Sequence, residues 1–479
     1  MLNTGCYIPI VLPLLRRHRG YFTGFALAGL ALRLIFLLYF PAVTDDSRIY
    51  ADFATTWLQH GVYGQTQLGQ VVPADTRLPG YPAFLAAVFA LCGMGNFRAV
   101  LVIQILLDLC TCLLIADLTR RTVSEKAAQV SFALAALCPF LANYAAAALT
   151  ETLEILFTVA ALDCVAAGLS LQEQNQEAWR AWAGAGAATA ACILLRPDGG
   201  ILLISVGGYF SYLLWNRWRT KKPMVPVVQA GLVIAVVALA PLVPWTIRNW
   251  RTLHQFEPLA PRYANAQSEL PMRGFNRWVK TWMADYASVE EIYWPVPGDK
   301  IDTEKLPSRT FDSETQESET LALIDDYNQT AEMRPDLDAR FEQLAAERIR
   351  SHPLRYYVTL PALRIADMWL RPRTELLPPD VRWWEFDDVP TSSVMAVVLG
   401  VLNLAYVLAA ILGAIWKRAL VQYWGLLAGF VALRSLFLGT LENPEPRYTL
   451  ECYPAVILVV SALFVTYSHT KKAARFQNP

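Results

Sequence analysis

Apolar runs of bilayer length recur along this chain and leave it few folds. They occupy residues 21–40, 97–118, 127–146, 149–169, 179–195, 201–215, 226–245, 394–416, 420–438 and 453–467. Hydrocarbon offers no hydrogen-bond partner to a bare amide, so a segment of roughly 20 apolar residues crosses it as a helix. With 55% hydrophobic and 17% charged residues, the expected fold is an all-α polytopic membrane protein of about ten transmembrane helices.

Arg16, Arg17 and Arg19 precede the first run, and the positive-inside rule keeps them cytoplasmic. No small-residue cleavage site follows, so the run reads as a retained helix rather than a removed signal. Arg120, Arg121 and Lys126, the basic loop 216–222, and Lys417 with Arg418 then also fall inside. This alternation needs 79–93, which is short and opens with two prolines, to lie in the outer interface. Both termini come out cytoplasmic. Three parts follow: an N-terminal transmembrane module 1–249 with a first external loop at 41–96, an external region 250–391, and C-terminal transmembrane helices 392–479. The external region is rich in acids and carries Trp278, Trp282 and Trp294. Within it DLDARFEQLAAERIRSHP reads as an amphipathic helix stopped at Pro353, and LRYYVTLPALRIADMWL, with Arg364 and Asp367, as an interfacial helix.

Net charge is +0 and no basic tract interleaves with aromatics, so no nucleic-acid partner is expected. Seven of the eight cysteines lie in or beside apolar segments, Cys6 being the other, which suits free thiols rather than a disulfide framework. The five histidines form no HxxxH or HExxH pattern, and no metal site is expected.

The first external loop opens with two adjacent carboxylates, in TDDSRIYADFATTWLQHGVYGQTQLGQVVPADTRLPGYP. Asp45 or Asp46 suits the cap of a helix running to about residue 59, with Gly61 just past its end. That helix sets Ile49, Tyr50, Phe53, Trp57 and Leu58 against Asp52, Thr55 and Gln59, a pattern for lying flat in the interface. Other polar residues gather on the same outer side: Arg77 in TRLPGYP, Glu151 in ALTETLEILF, Arg196 in LLRPDGG, Arg248 in PWTIRNW, and Arg447 with Tyr448 in LENPEPRY. A charge in the apolar layer costs about 2.5 to 3.5 kcal/mol on insertion scales, so such a gathering marks a candidate site.

Each residue also has a plainer reading. Asp45, Asp46 and Glu151 suit helix caps, Arg196 and Arg248 suit anchors that snorkel to headgroups, and Glu442 and Glu445 suit ordinary loop acids. Asp108, Asp117 and Asp163 are expected to be satisfied by neighbours. The shared side favours the functional reading. A carboxylate on a rigid interfacial element facing several arginines suits transfer from a lipid phosphate, with the carboxylate taking or orienting the proton of an attacking hydroxyl. A transporter or flippase of a lipid-linked or anionic substrate is the rival reading. It wants charges near mid-membrane, for which Arg33 and Arg434 are the candidates, and the absence of an internal repeat weighs against it. A non-catalytic envelope subunit would tolerate loss of both Asp45 and Asp46.

DSRIYADFA with RLPGYPAFLA resembles the first external loop of the GT-C glycosyltransferases that use a polyprenyl-phosphate sugar. That superfamily includes dolichyl-phosphate-mannose protein mannosyltransferases and bacterial lipid A aminoarabinose transferases. TETLE, LLRPDGG, PWTIRNWRTLHQFEPL and PEPRYTLECYP look like its later landmarks in order, so the likeness runs over about 27–467, with 250–391 matching only at its start. The resemblance implies a hexosyl or pentosyl transferase that moves a sugar from a polyprenyl-phosphate donor to an envelope glycan, lipid or protein. It implies inversion at the anomeric carbon, no metal or other cofactor, and a bacterial inner-membrane location with the site facing the periplasm. It further implies Asp46 as catalytic base, with Asp45 behind it, and Arg77, Glu151, Arg196, Arg248, Arg447 and Tyr448 around the donor or acceptor. One departure stands out: the aminoarabinose branch often has Glu second in the acidic pair, whereas Asp46 is followed here by Ser47. That branch's substrate is not carried across.

Overall fold

The computed structural model describes residues 11–265, 269–386 and 389–465. Helices α1 (Val11–Arg17) and α2 (Arg19–Tyr39) lead into the first external loop, whose opening forms α3 (Asp45–His60). The cap of α3 is Thr44 rather than either aspartate. Its hydroxyl accepts from the Ser47 N–H while the Ser47 hydroxyl accepts from the Thr44 N–H, a reciprocal capping box. Asp45 and Asp46 therefore sit in the first turn, where the helix dipole favours negative charge. Gly61, at φ 68°, ends the helix as expected.

Strands β1 (Gly64–Gln67) and β2 (Gln70–Pro73) then pair antiparallel, a hairpin absent from the sequence expectation. Its two-residue turn, Leu68 and Gly69, has positive φ at both positions, the geometry that matches strand twist. The short α4 (Gly80–Cys92) follows.

Helices α5 (Phe97–Thr122), α6 (Glu125–Ala136), α7 (Pro139–Ala145), α8 (Glu151–Glu173) and α9 (Trp179–Leu195) come next. α10 (Gly200–Arg219), α11 (Val225–Leu239) and α12 (Leu242–Leu253) close the first part. α6 and α7 are bent by 53°, at a break where Pro139 cannot donate a backbone hydrogen bond. A lone parallel bridge joins Ala42 to Ala147.

The external region holds α13 (Arg273–Lys280), the single turn α14 (Tyr286–Ser288), α15 (Glu314–Asn328), α16 (Pro335–Ser351) and α17 (Leu360–Leu370). The chain ends in α18 (Pro390–Lys417), α19 (Trp424–Gly439) and α20 (Tyr453–Ala462). Each of the ten apolar runs thus contributes helix among the described residues. Among the described residues, five helices are long and apolar enough to cross a membrane by length and composition, or six if the bent pair counts as one span. The other four runs form α9, α10, α19 and α20, which are shorter or less apolar. The chain is an all-α, integral membrane protein.

Its main core interleaves α5, α8, α9 and α20, with Cys112, Ile115, Val159, Leu162, Ala185 and Ile457 buried together. No disulfide forms among the described residues, and Cys6 lies outside them. Arg33 in α2 is fully buried; it donates to Asp108 of α5 at 2.6 Å and to the carbonyls of Gly29 and Ala136. Asp117 holds Arg120 and Arg121, and Asp163 holds Arg121 at 2.8 Å. These three acids have the neighbours expected of them.

The external region has its own core, built from Trp278, Trp282, Ile324, Tyr327 and Phe341, while Trp294 is nearly half exposed. Arg364 of α17 fastens this region to the membrane part. Wholly buried, it donates to the carbonyls of Lys280, Met283 and Gly439.

Candidate active site

A cavity of about 850 Å³ opens where α3, the turn before α4, the start of α8, the end of α9 and the turn before α20 meet. Asp46 accepts from Arg77 at 3.1 Å and lies 3.5 Å from Arg447. Arg447 reaches Glu445 at 2.6 Å and Glu151 at 3.6 Å. Arg196 lies 3.7 Å from Glu151, 3.5 Å from Glu154 and 3.2 Å from Asp198, and its guanidinium stands 4.4 Å over the Tyr448 ring. Deeper in, Arg434 binds Asp198 at 3.0 Å, the Tyr448 carbonyl at 3.0 Å, and Glu451.

Local sequence explains each placement. Glu151 and Glu154, three apart, share one face of α8. Arg196 leaves α9 in an extended conformation, φ −150° and ψ 144°, as a residue before proline must. Arg447 rides a short 3₁₀ turn, Pro446–Cys452, that starts with proline. That turn is held from beneath by the buried Arg373, which donates at 2.6 Å to both the Pro446 carbonyl and Thr449 Oγ1, and at 2.9 Å to the Tyr453 hydroxyl.

Burial opposes charge on Asp46, yet the guanidiniums of Arg447 and Arg77, with Arg196 beyond them, hold its carboxyl below the usual aspartate range. Around it, Arg77, Arg196, Arg434 and Arg447 are interleaved with Glu151, Glu154, Asp198, Glu445 and Glu451. The oxygens of Glu151 and Glu154 accept no hydrogen bond, although both lie within ion-pair range of Arg196.

The structure brings Asp46, Arg77, Glu151, Arg196, Arg447 and Tyr448 to one chamber. Asp45 is at its rim, with a side chain 92% exposed and a salt bridge to Arg48. Arg248 does not reach the chamber, which corrects the expectation. It donates to the carbonyls of Tyr63 and Ala74 and packs on the rings of Tyr63 and Trp245, because the hairpin segment folds back over the end of α12. Arg248 is a clamp on the first external loop. Glu445 is no ordinary loop acid either: it is buried, paired with Arg447, and accepts from the Tyr448 hydroxyl. Arg434 is not a lone mid-membrane charge. Glu154, Asp198, Arg373 and Glu451 escaped the sequence reading. The first two were signalled by their positions, one helical turn after Glu151 and two residues after Arg196.

Fold and site together define a polytopic helical membrane protein with a carboxylate set between arginines at the head of its helices. The family described as dolichyl-phosphate-mannose-protein mannosyltransferase matches residues 74–245, a stretch that contains Arg77, Glu151 and Arg196. The GT-C resemblance read from the sequence landmarks is borne out by that match. Among solved structures, the chain is similar to the S. cerevisiae protein O-mannosyltransferase Pmt1-Pmt2 complex bound to the sugar donor, at 16% identity and TM-score 0.42, covering 50% of this chain and 34% of that one. ArnT from Cupriavidus metallidurans bound to undecaprenyl phosphate gives 14% identity and TM-score 0.39, covering 92% and 78%. The archaeal oligosaccharyltransferase AglB from Archaeoglobus fulgidus, in complex with an inhibitory peptide and a dolichol-phosphate, gives 12% and 0.49, covering 94% and 50%. The chain thus spans 34% of the yeast protein's length and 50% of the archaeal one's. No curated protein is significantly similar in sequence.

Proposed function

We propose that this chain is an integral membrane glycosyltransferase that moves a hexosyl or pentosyl group from a polyprenyl-phosphate donor to an envelope acceptor. Its site faces the outside, in a bacterial inner membrane the periplasm. The observation that carries this reading is the convergence of Asp46, Arg77, Glu151, Arg196 and Arg447, from separate segments, on one chamber at the head of apolar helices.

The donor phosphate lodges among Arg77, Arg196 and Arg447, whose planar forks match phosphate oxygens, while its polyprenyl tail lies along the apolar helices. Asp46 begins as a weak base, held by Arg77 and Arg447. The phosphate competes for those two guanidiniums, so its arrival frees the carboxylate and raises its basicity. The acceptor hydroxyl then gives its proton to Asp46 as its oxygen bonds to the anomeric carbon. The bond from that carbon to the phosphate oxygen breaks, and its electron pair leaves with polyprenyl phosphate, whose charge the arginines hold. Attack from the face opposite the phosphate inverts the anomeric centre. No metal or other cofactor enters the scheme.

The test measures polyprenyl phosphate released by purified protein in lipid, supplied with a panel of polyprenyl-phosphate sugars and a crude envelope extract. Release should require the extract. It should fall by about 10²- to 10⁴-fold in Asp46→Asn, the contribution of a general base, at unchanged expression and with a cooperative melting transition retained. Equal lipid binding by both proteins with no release from any donor would remove the transferase reading and favour a transporter or scaffold.

A further inference from the structure

A second cavity, of about 750 Å³, adjoins the chamber beside α13 and shares Arg262, Tyr263, Asn276 and Glu442 with its wall. Two of its side chains, Asp75 and Asn276, are more than nine-tenths buried and each holds a buried acceptor oxygen that no protein donor reaches. Asp75 Oδ2 and Asn276 Oδ1 have no hydrogen-bond partner, and the Glu442 carboxylate enters no hydrogen bond or ion pair among the described residues. They come from three places: the turn after β2, α13 itself, and the loop after α19. A buried acceptor left unpaired is costly, so Asp75 Oδ2 and Asn276 Oδ1, with the Glu442 carboxylate beside them, call for an occupant that brings donors.

The occupant's chemistry follows from that wall. The same wall carries Arg262, Arg273, Arg277 and Lys280, which want acceptors, so the occupant must both donate and accept, and a lipid tail does neither. Sugar rings bring several hydroxyl donors in a compact frame, with C–H faces that suit the rings of Tyr263 and Tyr356, which also line the cavity.

We propose that this outer cavity is the acceptor site and takes a hydroxyl-rich glycan, whose reacting hydroxyl passes Glu442 to reach Asp46. The assignment of an acceptor role rests on the transferase reading. The glycan site itself rests on the orphaned oxygens.

The experiment uses the full chain in lipid nanodiscs and reads saturation-transfer NMR from two probes, a mixture of hexose oligosaccharides and a mixture of Ser/Thr-containing octapeptides. Undecaprenyl phosphate binding is measured alongside. Asn276→Leu and Glu442→Leu should each weaken oligosaccharide binding at least tenfold and affect undecaprenyl phosphate binding far less. Glu442→Gln, which keeps an acceptor oxygen, should lose less than Glu442→Leu; thermal melting checks that all three fold. Arg447→Gln should show the opposite pattern. No oligosaccharide binding to the wild type, binding indifferent to all three wall variants, or peptides binding with the same variant sensitivity would overturn the glycan site. Variant-sensitive oligosaccharide binding without any undecaprenyl phosphate binding would support the glycan site and remove the acceptor role together with the transferase reading.

Discussion

Asp46 is kept charged by its surroundings, and the sign of that effect is testable. Its folded carboxyl lies below the ordinary aspartate value of about 3.9. The stabilisation it brings is complete above that value and is lost as pH falls through the lower folded one. Melting temperature should therefore drop in the acid range in part because Asp46 is protonated, and Asp46→Asn should lack that part. Parallel melting curves for the two proteins from pH 6 down to pH 3 would refute it. For the same reason, Asp46 in the lipid-free protein should show no titration between pH 5 and 8. Among the site residues, Asp46, Arg77, Glu151, Arg196 and Arg447 were legible because a charge beside an apolar run demands a reason. Glu442 and Glu445 were not, since in a polar loop burial leaves no mark on composition. Arg248 was misread because the facing of a helix end depends on which loop folds over it.

At the scale of the element, the chamber depends on how closely α4 meets α9. A Cβ added at Gly80 would lie 2.6 Å from the backbone carbonyl of Leu194, two residues before Arg196. Neither backbone can yield cheaply. Gly80→Ala should destabilise the protein by about 1 to 3 kcal/mol and weaken undecaprenyl phosphate binding by displacing Arg196; denaturation and a lipid-binding titration check the two effects, and an unaltered lipid affinity would break the link. The capping box is a milder control. Thr44→Val should cost about 1 kcal/mol, visible as a lower melting temperature. Most helices were readable from run length alone. The hairpin was not, because Leu-Gly is a weaker turn signal than Asn-Gly, and the bend before Pro139 was hidden inside a run that looked continuous.

Across the whole molecule, one buried pair fastens α2 to the bundle. Removing the partner of a buried charge costs about 3 to 5 kcal/mol, whereas replacing both with apolar residues is often neutral. Arg33→Met should thus destabilise strongly, and adding Asp108→Leu should recover most of the loss, as read by reversible unfolding in mixed micelles. If the double variant is no better than the single, the hydrogen bonds from Arg33 to Gly29 and Ala136 matter more than the charge. The family match and the run of helices were both anticipated at this scale.

The bridge between Ala42 and Ala147 reaches further than its two hydrogen bonds, from Ala42 to the Ala146 carbonyl and from Ala148 to the Ala42 carbonyl. Asp46 and Glu151 stand the same number of residues beyond their respective bridge partners. The backbone is therefore a ruler with two equal arms, and each arm ends in a carboxylate of the chamber. Lengthening either arm by one residue adds up to about 3.5 Å of non-helical chain between the bridge and the helix, as much as the 3.5 and 3.6 Å that separate Asp46 and Glu151 from Arg447. A variant or relative with a single insertion at residues 43–44 would keep every charged residue named above and lose the chamber all the same.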